Sequence, residues 1–456
     1  MSLALNAEQV KSASRNSLFS DKSWRWSPQS WSLPDEVCQW IEELSSAALS
    51  FYQGIDLLYR KSSRDESILR NEELLVPWVA NYYDLGKPEW LIRHARSDAV
   101  RSQIPAVLRP DLIPHSSGIG LTEWDSVPGG IGLTAHLEQV YEIGQCSEMI
   151  EYFGKALTDA VKDIRGESAN MVMAVSEEAG TYLPEMEWIC EKLKQSGFSI
   201  AVCSPNELEI LEDSVHYEGK KVDLIYRFWE LFDHQEVSIM PALATLVEKG
   251  SVVVTPPMKH SQEEKLSLAL FHHHRLKSFW KENLSAEDLN ILQSAIPPTW
   301  IMDPKEIPPG AYLDGPTVQG NKLCKWTDLS KASKKERRLV IKASGFHETA
   351  WGGRSVVIGD DMPAEEWKNS ITSALDDYPS PVCIMQEFMK PVSFSHPIFS
   401  NDYEISKELG RVRLSPYFFT FDKEAHWQGT LATFCPADKK IIHGMRDGSL
   451  MPCDQK

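Results

Sequence analysis

Arg109-Pro-Asp111 is followed closely by Glu123-Trp-Asp125-Ser-Val-Pro-Gly-Gly130. The segment brings one guanidinium and three carboxylates close together in the chain. If Leu121 to Asp125 is extended, Glu123 and Asp125 share a face, because side chains alternate along a strand. Carboxylates on one face repel each other unless a cation lies between them. A hard ion such as Mg2+ suits them, since it takes oxygen ligands and shares a substrate phosphate. The same residues also suit an exposed turn with solvated acids.

A second cluster lies far downstream, in Leu339-Val-Ile-Lys342-Ala-Ser-Gly-Phe-His-Glu-Thr-Ala-Trp-Gly352-Gly353-Arg354. A β-branched apolar run ends in a lysine, a loop of small residues follows, and Gly-Gly-Arg opens a second apolar run. The pattern predicts strand, flexible loop, strand. Gly352 and Gly353 would let backbone N–H groups approach phosphate oxygens. Lys342 would act as a point charge for phosphate, and Arg354 as a forked donor to a transferring phosphoryl group. A glycine-rich hairpin with surface charges is the alternative. Further on, Pro381-Val-Cys-Ile-Met-Gln386-Glu387-Phe388 predicts a buried strand whose polar end offers backbone hydrogen bonds to an adenine, or else an ordinary core strand. Glu387 would then be left for a ribose or a lysine. Upstream, Val252-Val-Val-Thr-Pro-Pro predicts a strand and a proline break. Lys265 lies early in the helix expected next, as a phosphate lysine or a salt-bridged surface residue. Arg413, in an alternating strand pattern, is a further candidate for phosphate or substrate, or else a strand-edge charge.

Together these pieces resemble the ATP-grasp superfamily. The resemblance is to its circularly permuted branch, of which glutathionylspermidine synthase is the familiar example, and to uncharacterised bacterial relatives. It spans roughly Arg109 to Arg413. In that branch an Arg-x-Asp and a Glu-x-Asn precede the nucleotide lysines and the Gly-Arg loop. Here Arg109 and Asp111 match the first pair, and Glu123 and Asp125 the second. Asp125 stands where the family usually carries asparagine, and the loop from Lys342 to Arg354 is longer than usual. No amidase-like segment comes first, so a glutathione and spermidine pair is not implied. What the resemblance implies is ATP and Mg2+ as cofactors, with the metal on Asp111, Glu123 and Asp125. Lys265, Lys342, Gly352, Gly353, Gln386, Glu387 and Arg413 would hold the nucleotide. Arg109 and Arg354 would stabilise the transferring group.

The wider sequence supplies the elements that must position these groups. The expected class is α/β, an ATP-grasp core with a parallel-sheet pre-ATP-grasp domain and a helical N-terminal region. The expected divisions are a helical region over 1–99, metal-binding strands over 100–135, a parallel α/β substrate-side unit over 136–258 and a nucleotide-binding region over 259–456. Between Asn170 and Val254, strand and helix patterns alternate, which predicts a parallel sheet with covering helices. Such sheets bind ligands at the carboxyl ends of their strands. Arg227 sits at one such end, as a candidate for a substrate carboxylate or as a structural partner of Glu230 or Asp233. His272-His-His274 is expected on a helix surface, where successive residues point apart. The His443-Gly-Met-Arg446-Asp447 tail has no assigned role.

Composition narrows the class. Of the 456 residues, Lys+Arg number 47 and Asp+Glu 65, giving a net charge of −18. That balance argues against nucleic-acid or anionic-membrane partners, and a polyanionic nucleotide would need a local positive site. Eight cysteines form no Cys-x-x-Cys pair and suggest reduced, buried thiols. No apolar run reaches the roughly twenty residues of a membrane span, and the N-terminus lacks the apolar core of a signal peptide. A cytoplasmic enzyme acting on small molecules is expected, its oligomeric state open. The reaction expected is ATP-dependent ligation of a carboxylate to an amine through an acylphosphate, with Phe346 to Trp351 as the lid that closes to exclude water. Phosphoryl transfer alone and a silent nucleotide-binding module are the alternatives.

Overall fold

The computed structural model describes residues 5–15, 18, 24–125, 127–143, 146–165, 169–350, 352–438, 442 and 448–455. Residues 443–447 and Trp351 lie outside these, and with them the His443–Asp447 tail and one end of the expected lid. The fold is mixed α/β and is built on three main sheets. Among the described residues, no helix is long and apolar enough to cross a membrane.

The largest sheet has seven strands and carries the acidic pair. Its main path runs Trp31–Leu33, Ser449–Gln455, Glu424–Pro436, Ile405–Phe421, Val107–His115 and Gly118–Asp125. The seventh strand, Phe394–Phe399, also pairs with Ile405–Phe421. A hairpin joins the two longest strands, and its turn is Asp422-Lys423, with φ of 51° and 66°. Two successive left-handed residues match the twist of antiparallel strands. Acidic residues from early in the chain thus share a sheet with strands from its end.

Alternation decides which way the acids face. Glu123 and Asp125 flank Trp124 on one strand. Trp124 points the other way and stacks on Phe51 of the long helix Asp35–Ser63, ring centroids 6.1 Å apart. Phe51 stacks in turn on Trp280 at 5.6 Å. Large aromatic areas buried here fix the strand's rotation and turn the carboxylates away from the core.

The second sheet is parallel, in the order Val253–Thr255, Leu224–Phe228, Met171–Val175, Ile200–Cys203. Helices Leu183–Gln195 and Met240–Glu248 connect its strands, as the alternating pattern predicts. Met186, Ile189, Cys190 and Leu193 form the buried stripe of the first helix. The third sheet holds the nucleotide-loop segment, in the order Thr299–Met302, Cys383–Glu387, Leu339–Ala343, Val357–Ile358. Most described cysteines are buried and none is bonded to another; Cys324 is exposed, contrary to the expectation.

Between the acidic strand and the helix Ile131–Val140 stands Gly130, with φ of +89°. A Cβ there would lie 2.5 Å from the Tyr417 hydroxyl. Both the conformation and the contact demand glycine. Gly130→Ala is therefore expected to cost about 2–3 kcal/mol through strain and overpacking. A thermal melt falling by less than a degree would contradict this account of the turn.

Candidate functional site

Four charged side chains meet across the acidic hairpin. Its register sets Arg109 opposite Asp125 and Asp111 opposite Glu123. Between Asp111 and Leu112 the register shifts, leaving Thr122 as an extra residue. Such bulges re-aim the groups around them. Here the Thr122 hydroxyl donates to the Asp111 carbonyl at 3.0 Å. Its own carbonyl turns outward and accepts from Lys342 Nζ at 2.8 Å.

Each carboxylate has a cation. Asp111, only 2% exposed, lies 2.8 Å from Arg413 Nη1 and accepts from Ser415 Oγ at 2.9 Å. Asp125 pairs with Arg109, which also lies 3.6 Å from Asp111. Arg109 Nη1 donates to the Gly129 carbonyl at 2.9 Å, tying the guanidinium to the glycine turn. Glu123 lies 3.2 Å from Lys265 Nζ. Arg413 reaches this cluster because Ile405–Phe421 is an inner strand, between Glu424–Pro436 and Val107–His115. The strand-edge reading of Arg413 is thereby excluded.

Lys342 is the exception among the cations. Rather than a carboxylate, it meets the Thr122 carbonyl and, at 3.0 Å, Gln386 Oε1. Gln386 is buried and is oriented by its Nε2 donating to Thr299 Oγ1 at 3.1 Å. Strand pairing makes this contact possible, since Gln386 faces Val340 and Lys342 faces Ile384 across the ladder.

Charge states follow from this arrangement. Burial pushes Lys342 down to about 8; Glu123 opposes the shift and Lys265 adds to it. Burial disfavours ionised Glu123, but Lys265 and Lys342 outweigh it and hold the carboxyl at about 2; the side chain keeps 34% of its surface exposed, so solvent tempers both effects. For Lys265 the carboxylate likewise overcomes burial and raises the ammonium. Burial, then the Asp111 and Glu123 charges, push Asp125 up against the pull of Arg109. The Asp125 side chain keeps 26% of its surface exposed, so solvent tempers that burial effect. Arg109, Arg413, Lys265 and Lys342 face Asp111, Glu123 and Asp125, and Glu230 also acts on Lys265, so the site gathers four cations in an acidic chain.

Other expected residues lie elsewhere. Arg227 is fully buried and does not present its guanidinium to a ligand. It donates to the carbonyls of Pro256, Trp229 and Pro257 and pairs with Glu263. An arginine so enclosed must satisfy its charge locally, so it braces the wall. Neither Glu230 nor Asp233 is that ion-pair partner. The adenine expectation for the Gln386–Phe388 strand end also needs correction. Cys383–Glu387 is an inner strand; Glu387 N–H donates to Pro298 O at 2.8 Å, and Phe388 N–H to Arg338 O at 2.9 Å. Both amides are taken, and Gln386 serves Lys342 instead. Glu387 is exposed at the strand's end.

Lys265 is the residue just before the short helix Leu266–His272. Its Nζ also donates to the Ala350 carbonyl at 2.9 Å, so the phosphate-type lysine touches the expected lid. Gly352 and Gly353 take φ of +62° and +72° in that loop, with Arg354 exposed beside them. The three histidines are not a helix face. His272 ends the helix, and His273 and His274 stack on each other near Asp314. These three side chains could approach one ion, yet the imidazole planes lie only 20° apart with centroids 4.7 Å apart. Two stacked rings cannot both aim a lone pair at the same point. Ser415 and Thr122 complete the charged cluster, and neither stood out in the sequence. Ser415 does follow Arg413 at strand spacing, which is the signal that was present.

Glu123 makes the cluster testable without a ligand. Its carboxyl is depressed in the folded protein, so its pairing stabilises fully above the unfolded value of about 4.3. That contribution is lost as pH falls from there towards about 2. Glu123→Gln should therefore show a shallower fall of melting temperature across that window than the unsubstituted protein. Parallel acid titrations would contradict the ion-pair assignment.

The sequence matches no known family profile and no curated protein. Among solved structures, the chain is similar to a glutathione synthetase-like effector from Globodera pallida in apo form. That match has a TM-score of 0.58 and 11% identity, and covers 98% of this chain and 96% of the other. A putative gamma-glutamylcysteine synthetase from Methylobacillus flagellatus matches at a TM-score of 0.41 and 10% identity, covering 86% and 83%, too low a likeness to argue from. The chain thus has a mixed α/β fold, with a parallel sheet and many helices, similar to that of a glutathione synthetase-like protein.

Proposed function

We propose that this protein is a circularly permuted ATP-grasp enzyme that joins a carboxylate to an amine, forming ADP. One observation carries the reading. Three acids and an arginine on an early hairpin meet two lysines and a second arginine from three later segments, which gathers four cations at one place. In a chain of net charge −18, such a site suits a polyphosphate. The similarity to a glutathione synthetase-like fold supports the same class.

The donor set fits Mg2+. Asp111, Glu123 and Asp125 present hard oxygens to an ion, while the buried, unpartnered Nε–H groups of Arg109 and Arg413 are donors that suit phosphate oxygens. The ion would supply charge neutralisation on phosphate oxygens. Lys342 and Lys265 would bind the phosphates, Lys265 exchanging its present contacts with Glu123 and Ala350 for phosphate oxygens. Arg109 and Arg413 would keep the carboxylates in place, and Arg354 would approach as the lid closes. In this scheme the substrate carboxylate attacks the γ-phosphorus and ADP leaves, giving an acylphosphate. The amine then attacks the acyl carbon and phosphate leaves. Positioning and charge neutralisation provide the rate. The lid over 346–351 would exclude water, which would otherwise hydrolyse the acylphosphate.

The direct test is an ADP-release assay with pooled amino acids and amines. ADP, inorganic phosphate and a new amide are expected in equal amounts. A phosphorylated product in place of the amide would convert the reading to a phosphotransferase, and ATP binding with no turnover to a silent module. Glu123→Ala should lose at least about 10²-fold in turnover while the fold survives. Activity at the unsubstituted level would refute its metal role.

Lys342 also predicts a pH dependence. Its ammonium is charged below about pH 8 and neutral above. Phosphate binding would favour the charged form, so affinity for Mg·ATP should weaken as pH rises through that value. The limit is about tenfold per pH unit for one proton. Calorimetric titrations from neutral to alkaline pH would show it, and Lys342→Met should flatten the profile and bind about tenfold or more weakly. A profile unchanged by that substitution would remove Lys342 from the phosphate site.

A further inference from the structure

Lys87 belongs to none of the motifs, yet its side chain is only 3% exposed. It follows the helix Pro77–Asp84 in the N-terminal part of the chain. Its ammonium lies 2.5 Å from Glu264 Oε1, in a side chain 2% exposed. The contact is ionic and not aligned as a hydrogen bond. The other oxygen of Glu264 accepts the Ser344 hydroxyl proton.

Ser344 is the first residue after the Lys342 strand, and it holds two things. Its hydroxyl oxygen accepts Leu266 N–H at 2.8 Å, and its carbonyl accepts Lys265 N–H at 2.9 Å. The helix that follows Lys265 has seven residues and no side-chain cap of its own. A helix this short cannot stabilise its own first turn. Ser344 caps it from another sheet. The same residue is the root of the lid loop. Next to it, Gly345 leaves no room for a side chain, since a Cβ would lie 2.8 Å from the Glu263 carbonyl. Phe346 then stacks on His234, centroids 5.7 Å apart, and receives Lys87 Nζ at 5.5 Å from its ring centre. Lys87 therefore touches both the acid behind the lid root and the lid's first aromatic residue.

We propose that Lys87 is a positioning residue that fixes, through Glu264 and Ser344, both the Lys265 backbone and the root of the 344–354 loop. A buried carboxylate that loses its cation must draw in water or a proton. Either change weakens its hold on Ser344. The part of this inference that concerns nucleotide rests on the ATP reading above; the part that concerns the loop does not.

The test is amide exchange on the full chain without nucleotide. Lys87→Met should speed exchange at Lys265, Leu266 and 345–350 by about tenfold, the loss of one hydrogen bond to a charged group. Exchange in the helix Asp35–Ser63 should be unchanged. Lys87→Arg, which keeps the charge, should restore most of the protection. Lys87→Gln, which can still hydrogen-bond Glu264 but lacks the charge, should loosen the same amides to a smaller extent, so it decides the matter if Lys87→Met does not fold. Unchanged lid exchange in the variants that fold, or a rise spread evenly over the chain, would overturn the proposal. As a second arm, Lys87→Met should bind Mg·ATP about tenfold more weakly. Failure of the unsubstituted protein to bind Mg·ATP would sink the nucleotide reading alone, because the exchange result would still stand or fall by itself.

Discussion

Mutual neutralisation across the acidic hairpin is the interaction on which the rest of the site depends. Asp111, Glu123 and Asp125 lie within one strand pair. Asp111 is buried, Glu123 and Asp125 are partly so, and three like charges this close require cations at short range. The cations arrive from different places: Arg109 from the hairpin itself, Arg413 from the neighbouring strand and Lys265 from before a short helix. The pairing therefore couples segments that are distant in sequence. It also leaves Lys342 without a carboxylate of its own, held by a backbone carbonyl and an amide oxygen. A buried ammonium with weak partners is the group with most to gain from an incoming polyanion.

The apolar framework serves that cluster by setting orientation. Trp124, half-buried and stacked on Phe51, sends its two acidic neighbours to the opposite face. On the far side of the turn, Gly129 and Gly130 leave room for Tyr182 and Tyr417, and the Gly129 carbonyl accepts from both Arg109 and Tyr417. Packing and ion pairing thus meet at one tight turn. Either device alone would be weak. Aromatic packing does not choose a charge, and ion pairs that keep contact with solvent contribute little to stability.

A third feature is the linkage of the loop to the lysines. Lys265 holds the Ala350 carbonyl, and Ser344 holds the backbone of Lys265. In this arrangement the loop lies against the cluster through the same groups that a phosphate would engage. Ligand and loop would exchange partners on Lys265, which is a physical route for loop position to depend on occupancy.

Local pattern was enough for the strands that carry the charged residues and for their alternation, but not for Trp31–Leu33, Thr299–Met302, Phe394–Phe399 or Ser449–Gln455, which sheet pairing makes strands. Glu123 and Asp125 share a face because the period of a strand is two, and Met186 to Leu193 form a stripe because the period of a helix is 3.6. The alternating βα pattern likewise announced the parallel sheet. Partnership was not legible. Arg227 and Arg413 look alike in sequence, both near the charged end of an apolar run, yet one is sealed inside a wall of carbonyls and the other faces Asp111. Both lie on inner strands, so the difference is set by which segments cross above them. Most such neighbours lie tens to hundreds of residues away in the chain, so no local period encodes them. The Thr122 bulge, the taken amides of Glu387 and Phe388, and the Lys87–Glu264–Ser344 relay are of the same kind. Sequence determined which side chains can carry charge and which way a strand turns them; tertiary packing alone decided which charge each one meets, because Coulombic and hydrogen-bond contacts act through distance in space.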